Sequence, residues 1–366
     1  MNPRLIALTD AIKEQDLSFA FISDPMSIFY MTGFRSNPHE RLLALFVFPN
    51  VEPFLVCPAM EVRDARAAGW EGEIIGYGDH EKIWEIIAQR INQRNITGAL
   101  QVGLEINTVS YARSNELTAF GSSVSFVNIE PTLEALRTIK DAKELEILQQ
   151  AADMADYAVE VGASLIKKGK SEQSIIAEIE YSLKKRGISE MSFSTMVLAG
   201  DKTASPHGKP GDRQIREGDF VLFDLGVVVD GYCSDITRTF VYKHASPKQE
   251  DIYQTVLRAE EAAIKAAKPG MRIGDLDLVA RTIIADAGYG DFFPHRLGHG
   301  LGISVHEAPS MSEDNNGLLK EGMVFTIEPG IYVPEFGGVR IEDDVVLTID
   351  GARCLTHFPK ELTIIP

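Results

Sequence analysis

Over its first third the chain alternates short apolar runs with amphipathic stretches, the pattern of an α/β layer built on a mixed sheet. Four runs read as strands, Leu17 to Ile22, Leu42 to Phe48, Phe54 to Cys57 and Val124 to Ile129, and Glu73 to Tyr77 and Gln101 to Leu104 carry a fainter form of the same pattern. Lys82 to Asn95 and Ser110 to Phe120 have helical spacing. No phosphate-binding glycine loop follows any of these strands, so the region reads as a supporting domain and not a dinucleotide site.

A boundary is expected near Pro131 to Lys140, where Asp141 and Glu144 form a capping-box-like start to a long helix. Leu145, Leu148, Ala152, Ala155 and Val159 keep one face of it apolar. Beyond this point the chain repeats itself. Gly169 and Gly187 bracket one helical segment, and Gly270 and Gly288, at an offset of 101, bracket another. The strand-like stretches Glu217 to Gly226 and Glu321 to Gly330 echo one another at an offset of 104, which aligns Asp224 with Glu328. Two halves that each deliver an acid from the end of an apolar strand predict a pseudo-twofold domain with carboxylates facing across a cleft.

Composition changes the picture by exclusion. A chain of 366 residues fits two domains, and with 45% hydrophobic and 24% charged residues it can bury a sizeable core. A net charge of −17 repels phosphate backbones and anionic lipid surfaces, so nucleic acid and membrane are not expected partners. Cys57, Cys233 and Cys354 lie far apart without a C-x-x-C pair, which predicts a reducing, cytoplasmic setting. Asp10 interrupts the amino-terminal stretch before a signal-peptide core forms, and no run of about 18 apolar residues occurs elsewhere.

The candidate chemistry lies in the acids of the repeat. A strand as apolar as Phe220 to Val229 should not carry Asp224 inward unless something compensates its charge, because an unpaired buried carboxylate costs several kcal/mol or more. A metal ion is one such compensator. Asp230-Gly231 reads as a hairpin turn that brings Asp235 back beside Asp224, and Glu328 and Glu342 repeat the arrangement around an expected turn at Gly337-Gly338. His299, set in Gly298-His299-Gly300-Leu301-Gly302, supplies a nitrogen ligand where backbone can approach a crowded site. Four carboxylates and one imidazole make a hard, oxygen-rich set that favours Mn²⁺, with Co²⁺, Fe²⁺ or Zn²⁺ as substitutes, and four acids call for more than one ion. Two ions about 3.5 to 4 Å apart acidify a water and polarise a carbonyl, which is hydrolytic chemistry.

Singly, each residue has a plainer explanation. Asp230 and Asp235 could be turn residues, Glu328 could pair with a lysine, and the pair Glu260-Glu261 reads as part of a solvated helix face. Together, the ordered intervals of 11, 64, 29 and 14 residues resemble the pita-bread metallopeptidases, the family of prolidase, aminopeptidase P and methionine aminopeptidase. The resemblance runs from about Thr138 to the end, and the first domain is similar to the creatinase-type domain that accompanies prolidases and aminopeptidases P. It implies a creatinase-like α/β domain over residues 1–131, followed by a pseudo-twofold pita-bread α+β catalytic domain over 132–366.

Carried onto this sequence, the resemblance implies that Asp235 and Glu342 bridge two metals, that Asp224 completes one coordination sphere, and that His299 and Glu328 complete the other. Glu328 would also handle the proton of the nucleophilic water. His207 would contact the scissile region and His306 would support the oxyanion. His295 would be a substrate-side neighbour, and Arg340, two residues before Glu342, would stand behind the metal ligands and hold a bridging acid in place.

Arg296, three residues before His299, is the candidate cation for a substrate carboxylate. The loop Pro38-His39-Glu40-Arg41 resembles one that, in homodimeric bacterial prolidases, reaches toward the partner's active site, which places His39 among the substrate-binding candidates. The expected activity is hydrolysis of Xaa-Pro dipeptides by a homodimer acting on small peptides. The alternatives are an aminopeptidase P acting on longer peptides, and a non-catalytic binding protein on the same fold. The second would be marked by lost ligands, and none is lost.

Overall fold

The computed structural model describes residues 2–366, which fall into one unit ending at Arg137 and another beginning at Thr138. The first unit begins with a helix that the apolar pattern does not announce. In α1 (Pro3–Glu14) the Asn2 side chain accepts the Arg4 N–H, and Leu5, Leu8 and Ile12 are buried. Its strands are β1 (Phe19–Ile22), β2 (Ala44–Val47), β3 (Phe54–Pro58), β4 (Glu73–Tyr77), β5 (Ala99–Leu104) and β6 (Ser123–Asn128). They form one sheet in the order β4-β3-β2-β1-β5-β6, parallel at β3/β4, β1/β5 and β5/β6 and antiparallel at β1/β2 and β2/β3. The expected mixed sheet is therefore present. Helices α2 (Pro25–Thr32), α3 (Val62–Ala67), α4 (Ile83–Gln93) and α5 (Tyr111–Leu117) connect the strands, and α6 (Glu130–Thr138) runs to the division. Phenylalanines dominate the core, with Phe46 and Phe54 stacked at 4.6 Å between centroids.

The second unit opens with α7 (Ala142–Ser164), whose Asp141 and Glu144 close the expected capping box. Two matching series follow. In the first, α7, α8 (Glu172–Lys185), β7 (Met196–Ala199), β8 (Phe220–Leu225), a ribbon of β9 (Val228–Val229) and β10 (Tyr232–Cys233), and β11 (Ile236–Tyr242) build the sheet β19-β11-β8-β7, with β19 at Ile364–Ile365. In the second, α9 (Pro247–Ala266), α10 (Ile273–Asp286), β12 (Gly298–Gly300), β13 (Glu307–Met311), β14 (Val324–Ile327), a ribbon of β15 (Gly330–Val333) and β16 (Gly337–Arg340), β17 (Asp343–Thr348) and β18 (Gly351–Cys354) build the sheet β13-β12-β14-β17-β18. Each half thus pairs two antiparallel strands, β8 with β11 and β14 with β17, around a projecting ribbon. The repeat read from the sequence is the pseudo-twofold of the fold, and each half has its own apolar core.

Two expectations need correction. The second ribbon turns at Pro334–Phe336 with Glu335 at φ 61°, and Gly337 and Gly338 already belong to the returning strand. Gly338 is glycine there for lack of space, since a Cβ on it would stand 2.4 Å from the Thr203 carbonyl oxygen, and Gly337 because its φ is 138°. Glu261 is exposed as expected, but Glu260 is fully buried and binds Lys360 at 2.8 Å. Lys360 also binds Asp343, which Arg238 holds at 2.6 Å, so Glu260 sits inside a buried ionic network. A charged residue inside a helix reads as solvated until its distant partners are known. Among the described residues, no helix is long and apolar enough to cross a membrane.

Candidate metal centre

All five candidate ligands line a single cavity of about 630 Å³ in the second unit. Each stands at or beside a strand end. Asp224 is the penultimate residue of β8, Asp235 immediately precedes β11, Glu328 immediately follows β14, and Glu342 lies between β16 and β17. The register pairs Thr237 with Asp224 across β11 and β8, and a bridge pairs the same Thr237 with Glu342, so one residue joins acids from the two halves.

His299 is the middle residue of β12, a strand compressed by its neighbours. A Cβ on Gly298 would meet the Thr326 carbonyl oxygen at 2.0 Å, and one on Gly300 the Ala308 carbonyl oxygen at 2.1 Å. These glycines are needed for close backbone approach, as the sequence pattern predicts. His299 Nδ1 lies 3.1 Å from the Gly300 carbonyl, which can only accept, so Nδ1 carries the proton and Nε2 offers its lone pair. That Nε2 is 3.4 Å from Glu328 Oε1 and 3.7 Å from Asp235 Oδ2. One ligand atom each from Asp235, His299 and Glu342 lie within 4.8 Å of one another.

The electrostatics of this cluster call for a cation. Burial, and next the charges of Glu342 and Asp224, hold the Asp235 carboxyl well above its ordinary range. Burial followed by Glu328 and Asp224 does the same to Glu342. Glu328 is pushed up to about 7, chiefly by burial and against the pull of Arg340. Burial and then His306 lower His299 to about 3, which keeps the imidazole neutral. Asp235 Oδ1 is buried with no hydrogen-bond partner, and such orphans are few among the described residues. An oxygen-rich donor set with an unpartnered carboxylate oxygen and a neutral, correctly oriented imidazole fits divalent metal ions.

The residues around the acids are bound to one another in a directed network. Arg340 donates from Nε to Thr237 Oγ1 at 3.0 Å, from Nη1 to the Tyr332 hydroxyl at 2.7 Å, and from Nη2 to Asp224. Thr237 in turn donates to Glu342 Oε2 at 2.5 Å. Arg340 therefore grips Asp224 directly and a candidate bridging acid only through Thr237, and its donors are already engaged within the protein. His295 is similarly committed. Its Nδ1 donates to the Arg296 carbonyl at 2.8 Å and its Nε2 lies 2.9 Å from the Tyr332 hydroxyl, so it lines the cavity with both nitrogens occupied. Burial lowers it to about 4.

His207, Arg296 and His306 line the same cavity. The His306 ring stands edge-on to His299 with centroids 4.3 Å apart, and burial followed by Arg296 lowers its pKa. Arg296 donates to Ser310 Oγ at 3.1 Å. His39 belongs to the other unit, exposed at φ 55° in the loop between α2 and β2. Three supporting residues escaped the sequence reading: Thr237, Tyr332 and Asp344. The last accepts the Asp235 N–H at 2.9 Å and is completely buried behind it. Its signal was available, because Asp343-Asp344 opens an apolar strand as Asp224 ends one.

Buried acids and one imidazole, set where two pseudo-symmetric halves meet, define a metal-dependent peptidase of pita-bread architecture. Residues 146–349 match the profile of metallopeptidase family M24, and residues 4–139 match the creatinase/prolidase N-terminal domain. The chain belongs to family M24. It is 58% identical over 362 residues to the Bacillus subtilis protein named "Putative dipeptidase YkvY", covering 99% of both chains. Among solved structures it resembles the prolidase of Pyrococcus horikoshii, with 33% identity, a TM-score of 0.90 and coverage of 99% of this chain and 100% of the other. It also resembles the X-Pro aminopeptidase of Thermotoga maritima, with 30% identity, a TM-score of 0.87 and coverage of 97% and 100%.

Proposed function

We propose that this protein is a cytoplasmic, Mn²⁺-dependent homodimeric dipeptidase that hydrolyses the imide bond of Xaa-Pro dipeptides. One observation carries the reading: the five acid and imidazole ligand candidates share a single cavity with Arg296. Asp224, Asp235, His299, Glu328 and Glu342 would hold the divalent ions. When bound, such ions polarise the peptide carbonyl and lower the pKa of water.

Glu328 takes a proton from the attacking water and delivers it to the departing imide nitrogen, which has no hydrogen of its own. His306 donates to the carbonyl oxygen as charge develops there. His207 contacts the scissile region. Arg296 pairs with the free carboxylate one residue past the scissile bond, a role suited to its planar fork. Arg340 and Thr237 keep Asp224 and Glu342 aimed inward, and His295 orients the backbone of Arg296. In the homodimer, the loop carrying His39 serves the partner's cavity. The cytoplasmic setting is supported by three cysteines that form no disulfide.

The likeness to an X-Pro aminopeptidase keeps a second reading, removal of the first residue from longer peptides. Turnover of a dipeptide and of a tripeptide with the same first two residues, each with added Mn²⁺, separates them. The dipeptidase reading expects the dipeptide to be preferred and a chelator to stop the reaction. Preference for the tripeptide would reject it, and chelator-insensitive turnover would reject the metal.

A further inference from the structure

The cleft has two walls with little regular structure of their own. Gly200–Gly211, which carries His207, is a short 3₁₀ turn followed by irregular chain, and Phe293–Leu297, which carries His295 and Arg296, is irregular throughout. Each is held by one fully buried carboxylate on the second helix of its half. On α8, Glu172 Oε1 accepts the Ala199 N–H at 2.9 Å and Oε2 accepts the Gly211 N–H at 2.8 Å, so a single side chain ties both ends of the His207 segment. Lys202, inside that segment, pairs with the same Oε2. On α10, Asp277 Oδ1 accepts the Leu297 N–H at 2.9 Å and both its oxygens bind Arg281. Arg281 then donates to the Phe293 carbonyl at 3.1 Å and the His295 carbonyl at 2.9 Å.

Neither acid touches the cavity, and each is 0% exposed. The second helix of each half thus supplies a carboxylate for the same task, Glu172 from the first residue of α8 and Asp277 from the fifth residue of α10. A buried carboxylate with charge-assisted bonds is stiff, because any movement that breaks a bond leaves charge unpaired in a dry interior. We propose that Glu172 and Asp277 are matched positioning residues, one per half, that set the two walls of the cleft independently. Glu172 acts through His207 on the turnover step, and Asp277 acts through Arg296 on recognition of the substrate carboxylate. This division of labour rests on the dipeptidase reading; the anchoring itself does not.

The test has two arms, both on the full-length, metal-loaded protein. Hydrogen exchange should cross over: Glu172→Gln raises exchange in 199–211 and leaves 293–297 unchanged, and Asp277→Asn does the reverse. In kinetics with an Xaa-Pro dipeptide, Glu172→Gln should lower kcat by about 10- to 100-fold with KM nearly constant, and Asp277→Asn should raise KM by a similar factor. Each loss should nearly vanish when His207→Ala or Arg296→Ala, respectively, is already present, because the paired residues act as one unit.

Exchange that rises equally in both segments, or in neither, overturns the proposal. So do losses that multiply fully with His207→Ala and Arg296→Ala. If Glu172→Gln does not fold, Lys202→Met keeps both backbone bonds of Glu172 and should give a smaller loss with the same dependence on His207. A wild-type protein inactive on the dipeptide but showing the crossed exchange pattern would refute the substrate reading and leave the anchors standing.

Discussion

The two units handle charge in opposite ways. Among the described residues of the first, the only aspartate, glutamate, lysine or arginine in the buried set is Glu105, and the core around the sheet is mainly phenylalanine and aliphatic side chains. The second buries Glu172, Asp235, Arg238, Glu260, Asp277, Arg340, Glu342, Asp343 and Asp344. Replacing paired buried ions by apolar residues is often neutral or stabilising, so such a concentration does not serve stability by itself. It serves placement. Arg238 donates to the Glu342 carbonyl at 2.6 Å and to Asp343, and Asp344 holds the backbone of Asp235, so the ionic network backs the candidate metal centre. The first unit folds as a scaffold and the second as a site.

The contrast is broken most severely at the candidate ligands. Replacing Asp235 by Asn together with Glu342 by Gln should lower peptidase turnover by about 1000-fold or more, since the paired acids are lost from the centre. Retained turnover with added Mn²⁺ would remove the enzyme reading. Next in size is the back wall. Arg238→Met leaves Asp343 and Glu260 short of a buried counter-charge and should cost about 3–5 kcal/mol in denaturant unfolding. Burial pushes Asp343 up, but Arg238 and Lys360 outweigh it and hold that carboxyl below its ordinary range, so the variant should also lose stability at a higher pH than wild type as Asp343 takes a proton.

The first unit offers a smaller, opposite test. Glu105 accepts the Ser23 and Asp24 N–H groups at 2.8 and 2.9 Å, yet burial pushes it up to about 7. The folded state therefore binds a proton that the unfolded state releases from its ordinary value of 4.5 upward. Its contribution is full below that value and is lost as pH rises toward the folded one, by about 3 kcal/mol in total. Glu105→Gln should flatten the decline of unfolding free energy between those two values, and an unchanged slope would show that the carboxyl is not responsible. Smallest is Glu261→Gln on the exposed face of α9, expected to shift unfolding by no more than about 0.5 kcal/mol. A larger cost would place Glu261 in the network beside Glu260.

Much of this was readable beforehand, for physical reasons that also explain the gaps. Sheet strands follow apolar runs because burial selects them residue by residue, and the repeat is visible because glycine is favoured where φ turns positive, as at Gly187 and Gly288 (90° and 84°). The acidic ligand candidates were legible because acids at the ends of apolar strands violate the local pattern. Glu260 was missed because its partners, Asp343 and Lys360, are 83 and 100 residues away and on other elements. Thr237 and Tyr332 were missed because a hydroxyl in a strand violates nothing. The amino-terminal helix α1 buries Leu5, Leu8 and Ile12 but leaves Ile6 exposed among them, which blurs its period in the sequence.

The strand that bears His299 has implications for anyone seeking altered chemistry in the laboratory. Wedged between two carbonyl oxygens at about 2 Å from where side chains would begin, Gly298 and Gly300 leave no foothold for mutation, and the imidazole cannot be shifted along its strand without prying the sheet apart. Libraries aimed at new substrates should therefore leave that strand untouched and draw their diversity from cavity-lining side chains outside it, such as Phe193 and Val305.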